Sequence, residues 1–484
     1  MEQGTKQGAK QTAKLGSKNW IGISLFAALG SVAWCMENEF LNLFIDRTIS
    51  TNPLVISLIV AASAITAALT TMMVGIYLDR IGKRVRFMSW GYVIWGFVIM
   101  AFALINVKGI SNALGIPESA AVVVCIVMVT LMDCIMTFFG SASNDAAFNA
   151  WVTDITSPSN RGKVEGALGI FGFVGVAIVF MFDFLGGVTY NHYFDAAGNE
   201  VTNYVEGGTF VHGNWTLFFI VIGVLVLLAG LLGRFFAKDA PHLKPNPDSR
   251  MNKMFYGFRW SVVKQNKKLY TTLLGSSLLG IAGMTFSPYL LIYMERTLGF
   301  KDYIIPFGIL NIVSVAFGFL FGMYADRKGK KLRFILPGLL VYILGCAIMF
   351  LGTTSKFASN AIYVFCAGSM VNGFGSAMIA NVFGAKVRDY TPPDRVGLFQ
   401  GVRMVFNIMI PMCIGPVITA LINNINKANT IGYDAAGNAI FNYSSSMFLF
   451  GAVMVLLVLI PLSMLKKFDA KEALLPASDP SAEG

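Results

Sequence analysis

Four carboxylic acids, Glu37, Glu39, Asp133 and Asp145, stand in stretches that are otherwise dominated by apolar residues. An ionisable side chain in such surroundings is expensive to keep and is a functional candidate by default. A desolvated carboxyl can bind and release protons near neutrality, so all four are candidates for proton coupling. Around the first pair lie Ser31, Trp34, Cys35, Asn38, Asn42 and Asp46. At about 100° per residue, Ser31, Cys35, Asn38, Glu39, Asn42 and Asp46 share an arc of about 100°, with Glu37 on another flank. Asn38, Glu39 and Asn42 suit hydroxyl recognition, and Trp34, one turn from Asn38, can stack on a sugar ring. Further along, Thr285, Ser287, Pro288, Tyr289 and Tyr293 form a second polar cluster, with Glu295 at its end. Asn372 recurs with Ser369 and Ser376 at helical spacing, and Asn407 shares a face with Arg403, which needs an anion such as Asp145 or Glu165. Tyr289, Tyr293, Asn372 and Asn407 join the candidate solute contacts. Pro288 frees a backbone carbonyl and permits a bend.

The elements that carry these residues are membrane spans. The 484-residue chain is 55% hydrophobic and only 13% charged, with a mean hydropathy of +0.65. Soluble domains hold about a quarter charged residues. Apolar segments long enough to cross about 30 Å of hydrocarbon recur throughout. Twelve are expected, at roughly 19–46, 53–79, 86–106, 119–150, 162–188, 213–237, 268–296, 302–325, 332–354, 358–386, 396–423 and 444–466. The first eighteen residues are polar and basic, without an apolar signal core, so the first helix is expected to remain as an anchor. The six cysteines fall within spans and read as small packing residues. His192, His212 and His242 are scattered and form no metal or hydrolase constellation, and no Walker-type loop occurs. Neither an enzyme, nor a cofactor, nor a metal site is expected.

The net charge of +11 is topology rather than nucleic-acid binding. All Lys and Arg except Arg47, Lys108, Arg296, Lys301, Lys356 and Lys427 fall on one side of the spans. Positive loops stay cytoplasmic, which places both termini inside a cell membrane. The basic excess also attracts anionic lipid headgroups.

The chain repeats itself. GIYLDRIGKRVRF at Gly75 to Phe87 returns as GMYADRKGKKLRF at Gly322 to Phe334. SPSNRGKVEGAL at 157–168 is echoed by TPPDRVGLFQGV at 391–402, with Arg161 matching Arg395. DAAGN occurs at 195–199 and again at 434–438, in loops that read as short external β-hairpins. The predicted organisation is a basic tail (1–18), a six-helix bundle (19–237), a cytoplasmic linker (238–267), a second six-helix bundle (268–466) and a tail (467–484). Within the linker, Arg259 and Trp260 suit an interfacial helix at the headgroups.

Twelve spans in two repeating halves, with Gly-x-x-x-Asp-Arg-x-Gly-Lys-Arg/Lys after spans two and eight, resemble the major facilitator superfamily of secondary transporters. WCMENEFLNLFID, VAASAITAALTTMMVGIYLDR and NDAAFNAWVTDITSPSNRGKVEG are similar to its glycoside-pentoside-hexuronide and sucrose-transporter-like branches. The resemblance implies an all-α fold of two six-helix bundles related by pseudo-two-fold symmetry, whose first and seventh spans line a central cavity. It also implies a conformational latch built from Gly75, Asp79, Arg80, Gly82 and Arg84, and from Gly322, Asp326, Arg327, Gly329 and Lys331. Asp79 would face span eleven near Arg395 to Gln400, with Arg403 further along that span. Asp326 would face span five near Arg161 to Glu165. The two motif glycines would let helices approach closely, and each carboxylate would sit at a positive helix end. Sodium-coupled members of that branch carry acidic residues inside span two, whereas residues 53–78 hold none. Protons are therefore the expected coupling ion rather than sodium.

The expected function is proton-coupled symport of a neutral polyhydroxylated solute, such as a glycoside or small oligosaccharide, by alternating access in a monomer within the bilayer. The alternatives are a proton-driven exporter of drugs or metabolites on the same fold, or a non-transporting sensor or lipid-handling protein. The last would tolerate neutralisation of Glu37, Glu39 and Asp145.

Overall fold

In a computed structural model, residues 15–156, 161–186, 192–194, 200–201, 209–211, 213–241, 245, 255–299, 304–328, 331–352, 361–392, 396–425, 430–433 and 439–473 are described. Long helices run at all twelve expected places. They are α1 (Ser17–Thr48), α2 (Pro53–Ile81), α3 (Val85–Leu104), α4 (Glu118–Ile155), α5 (Arg161–Gly186) and α6 (Trp215–Phe236). The second set is α7 (Lys267–Thr297), α8 (Ile304–Lys328), α9 (Lys331–Leu351), α10 (Ala361–Tyr390), α11 (396–425) and α12 (446–473). Eleven are long and apolar enough to cross a membrane among the described residues, and α5 contributes the shorter apolar stretch Ala167–Phe182.

Local chemistry explains several boundaries. Asn52 caps α2 by accepting from the Leu54 N–H, with Pro53 in the first turn where its missing donor costs nothing. Gly82 ends α2 in the left-handed conformation, φ 65°, and its N–H bonds the Leu78 carbonyl. A short amphipathic helix, Val107–Leu114, lies between α3 and α4 and escapes a hydropathy reading, because it is too short to span. The linker does carry a short helix, Trp260–Gln265, with Trp260 exposed and Lys264 Nζ 5.6 Å from its ring centroid.

Both DAAGN segments lie outside the described residues, but their flanks pair as antiparallel strands. β1 (His192–Phe194) pairs with β2 (Glu200–Val201) and β3 (Thr209–Val211), and β4 (Thr430–Tyr433) pairs with β5 (Ala439–Phe441).

Helices pack closest where glycine removes the side chain. A Cβ on Gly345 of α9 would lie 2.3 Å from the Asn372 backbone nitrogen of α10, and one on Gly375 would lie 2.3 Å from that of Tyr342. Gly96 and Gly223 do the same between α3 and α6. A Cβ on Gly322 would sit 3.3 Å from Asn381 of α10, whereas one on Gly75 would meet nothing within 4 Å. The expectation that Gly75 permits a close approach is therefore corrected, because no neighbouring element covers that point of α2 among the described residues. Across the two halves, α2 packs on α11 and α5 on α8.

Four of the long helices contain a π-helical turn: Met36–Leu41 in α1, Ser141–Phe148 in α4, Tyr293–Thr297 in α7 and Val405–Met409 in α11. Each widened turn breaks the 3.6-residue period and re-aims the side chains it carries. In α7 the helix is interrupted at Thr285–Phe286 and resumes through Ser287–Tyr289, around Pro288 as the proline implied.

Candidate functional site

The π turns hold the candidate residues. Glu37, Asn38 and Glu39 sit on that of α1, Asn144 and Asp145 on that of α4, and Asn407 on that of α11. All of these but Asn144 line a cavity of about 470 Å³ between the two halves. Trp34, Glu37, Asn38, Glu39 and Asn42 line it from α1, together with Ser63 of α2, Asp133, Thr137 and Asp145 of α4, Ser287 and Pro288 of α7, and Asn407 of α11. The widened turn of α1 lets Glu37 share the cavity with Asn38 and Asn42, although 100° periodicity places it on another flank. Among the described residues no Lys, Arg or His lines the cavity, and its four carboxyls all come from the first half.

Glu37 is buried, and its Oε1 accepts from Ser63 Oγ at 2.7 Å and from Thr137 Oγ1 at 2.9 Å. Ser63 and Thr137 are themselves 2.8 Å apart. Asp133, also buried, lies beside Glu37 and Ser63. Trp34 is pinned to the wall: its indole N–H donates to Asn144 Oδ1 at 3.4 Å, Asn144 donates to Tyr92 Oη, and Tyr92 donates to the Phe26 carbonyl at 2.9 Å. Its ring lies 5.2 Å from that of Trp95. Asn38 and Asn42 each donate to a main-chain carbonyl one turn back, at 2.8 Å. The Asn407 Oδ1 is buried and makes no hydrogen bond among the described residues.

Three expected solute contacts lie elsewhere. Tyr293 is buried between the rings of Phe365 and Phe448. Asn372 donates to the Tyr342 carbonyl at 3.2 Å and faces Cys346 within the α9–α10 packing. Tyr289 stacks on Tyr443 at 5.1 Å and shares a hydrogen bond with Ser57 of α2 at 2.7 Å. Large aromatic or amide side chains serve packing as readily as binding, and helical spacing alone does not separate the two.

Tyr289 belongs to a seal over the end of the cavity opposite the termini. There the acid–base pair Asp46–Arg47 of α1 crosses with Glu295–Arg296 of α7. Arg296 Nη1 donates to Asp46 Oδ1 at 2.9 Å, and Arg47 pairs with Glu295. All four side chains are nearly or fully removed from solvent.

On the terminus-bearing face, Asp79 is engaged within its own half. Its Oδ1 accepts from Arg84 at 2.8 Å, and Arg84 Nε donates to Asp154 at 2.9 Å. Asp239 caps the start of α3 through the N–H groups of Arg84 and Val85, both at 3.0 Å. Arg84, an expected latch residue, is therefore a buried strut within the first half. Arg80, Arg327 and Arg403 are exposed, and Lys331 is half-buried. Gly329 and Arg395 lie outside the described residues, as do the side chains of Arg161, Glu165 and Asp326, so the expected cross-half latch partners fall there.

Sequence reasoning missed Ser63, Thr137, Asn144 as a tether, and the crossed ion pairs. The last had a signal: Asp-Arg-Thr at 46–48 and Glu-Arg-Thr at 295–297 end repeat-related spans.

The family model described as Major Facilitator Superfamily matches residues 21–359 and 307–480. Among solved structures, a bacterial homologue of the human lysosomal transporter Spinster, inward-facing and occupied, aligns with a TM-score of 0.68 at 15% identity over 97% of this chain and 100% of that one. A point mutant of the nucleoside transporter NupG aligns with a TM-score of 0.66 at 12% identity over 92% of this chain and 99% of that one. At these identities the likeness speaks for the fold. Among curated proteins, none matches this chain significantly in sequence.

Proposed function

The chain belongs to the major facilitator superfamily of multi-pass membrane transporters, and on that premise we propose that it carries a neutral polyhydroxylated solute by proton-coupled symport. The observation that carries the reading is the cavity itself: four carboxyls with no basic residue among its described lining, beside an indole and three amides. Carboxylate and amide oxygens accept from hydroxyl donors, and the Trp34 face offers an apolar surface for a sugar ring. A cavity of about 470 Å³ lies in the usual range for small-molecule sites, about 300–1,000 Å³. The proton acceptor is drawn from the carboxyls Glu37, Glu39, Asp133 and Asp145. The sequence patterns shared with glycoside-pentoside-hexuronide and sucrose transporters favour a glycoside or small oligosaccharide. We place the protein as a monomer in the cell membrane with both termini cytoplasmic, because its loop charges obey the positive-inside rule.

Alternating access then assigns the two ends. The crossed ion pairs close the external end, and Asp79, which pairs with Arg84, is the latch carboxylate on the cytoplasmic side. Asp79→Asn should lower the turnover of uptake severalfold while leaving solute affinity within about twofold, since the side chain stands outside the cavity. Steady-state uptake compared with equilibrium binding checks this, and an equal loss of binding would tell against the latch.

Proteoliposomes under an imposed pH gradient, offered labelled glycosides, oligosaccharides and nucleosides, test the function. Solute-dependent proton entry is expected for at least one neutral polyol. Uptake of none, or uptake indifferent to the gradient, would overturn the reading.

A further inference from the structure

We infer that Glu37 and Asp133 together hold a single proton, in a site confined to the first half, while Glu39 and Asp145 are left to the solute. This deepens the proton-coupled reading and rests on it for its role in transport. The pair is set apart from the other two acids by its partners. Ser63 and Thr137 both turn their hydroxyls toward Oε1 of Glu37. That leaves Glu37 Oε2 and Asp133 Oδ1, both fully buried atoms, with no hydrogen-bond partner among the described residues. Two neighbouring carboxylates in a low-dielectric pocket repel each other, and each unpaired oxygen carries an unmet demand for a donor. One proton held by the pair relieves the repulsion and supplies a donor, whichever carboxyl carries it.

No fixed cation among the described residues does that job. The titratable groups around the pair are Cys35 and Glu39 on α1, and Cys134 and Asp145 on α4; α2 has none over residues 53–76. The cavity-lining residues of α7 and α11 add none, and the nearest basic side chains along α1 and α7, Arg47 and Arg296, are committed to Glu295 and Asp46. An alkali ion would require oxygen lone pairs from all sides, whereas the two hydroxyls here present hydrogens to Glu37. The proton site also sits apart from the second half. Loading it needs no cross-half contact, so it can be filled from whichever side the cavity faces.

The test uses the purified full chain without any solute. Proton release is titrated potentiometrically, and the carbonyl stretch of protonated carboxyls is followed by infrared difference spectroscopy. The E37Q/D133N double variant should release one proton fewer per molecule than the parent over the working pH range. E37Q and D133N should each displace the same spectral component, and E39Q and D145N should leave it in place. Ser63→Ala keeps both carboxyls and should shift that component without changing the proton count. It stands in if the charge-removing variants fail to elute as folded monomers. Loss of two protons in the double variant, loss of none, or displacement of the component by sodium or lithium at fixed pH would overturn the inference. A normal proton signal alongside failure of every solute would instead count against the solute reading alone.

Discussion

Arg296→Ala should open the end of the cavity that we propose faces outward, raising its accessibility about a hundredfold while the protein stays folded. The Arg296–Asp46 pair is buried, with side chains 11% and 1% exposed, and removing one partner of such a pair leaves an uncompensated charge at about 3–5 kcal/mol. The lower figure applies here, because the neighbouring Arg47 partly compensates Asp46. That energy belongs to the closed state alone, since in an outward-open state both groups reach water. A shift of about 3 kcal/mol corresponds to about two orders of magnitude in population. The measurement is labelling of a Ser287→Cys reporter in the cavity by an impermeant maleimide added from outside, against a parent bearing only the six native cysteines. The double exchange Asp46→Arg with Arg296→Asp should restore closure, because it reverses the pair without removing it. Unchanged labelling in the single variant would show that the aromatic seal around Tyr289 and Tyr443 closes this end unaided.

Gly345→Val is expected to abolish folded protein, whereas Gly75→Ala is expected to be neutral or slightly stabilising. The first places carbon 2.3 Å from a backbone nitrogen of α10, and a backbone cannot swing aside as a side chain can. α9 and α10 must separate over the length of their packing, at more than the about 1–3 kcal/mol typical of overpacking. The second adds a methyl to open space on α2, and removing a helical glycine gains about 0.5–1 kcal/mol. Size-exclusion profiles and melting temperatures of the two variants decide the matter. A monodisperse Gly345→Val protein with parental stability would contradict the packing of α9 on α10.

Membrane class, span number, the duplication and the intramembrane acids were all legible in the residue order, for a physical reason. Hydropathy over a span and a repeated thirteen-residue motif are local properties, and each can be read without knowing what lies alongside. The same locality explains Gly82, whose left-handed turn follows from the need to end α2 at that point. It also explains the break in α7, because Pro288 has no N–H to give.

Only the tertiary structure decided what each polar residue meets. Asn372 and Tyr293 look like cavity residues along their own helices, yet α9, α10 and α12 cover them. A period of 3.6 puts Glu37 on a separate flank, and the π turn at Met36–Leu41 carries it round to Ser63 and Thr137. The two motif glycines hold matching places in the repeat, but Gly322 has Asn381 against it and Gly75 has nothing within 4 Å among the described residues. Asp46 and Arg47 lie about 250 residues from their partners, and their pairing depends on how two bundles meet. Periodicity describes one helix at a time; a site between helices exists only once their packing has chosen which faces come together.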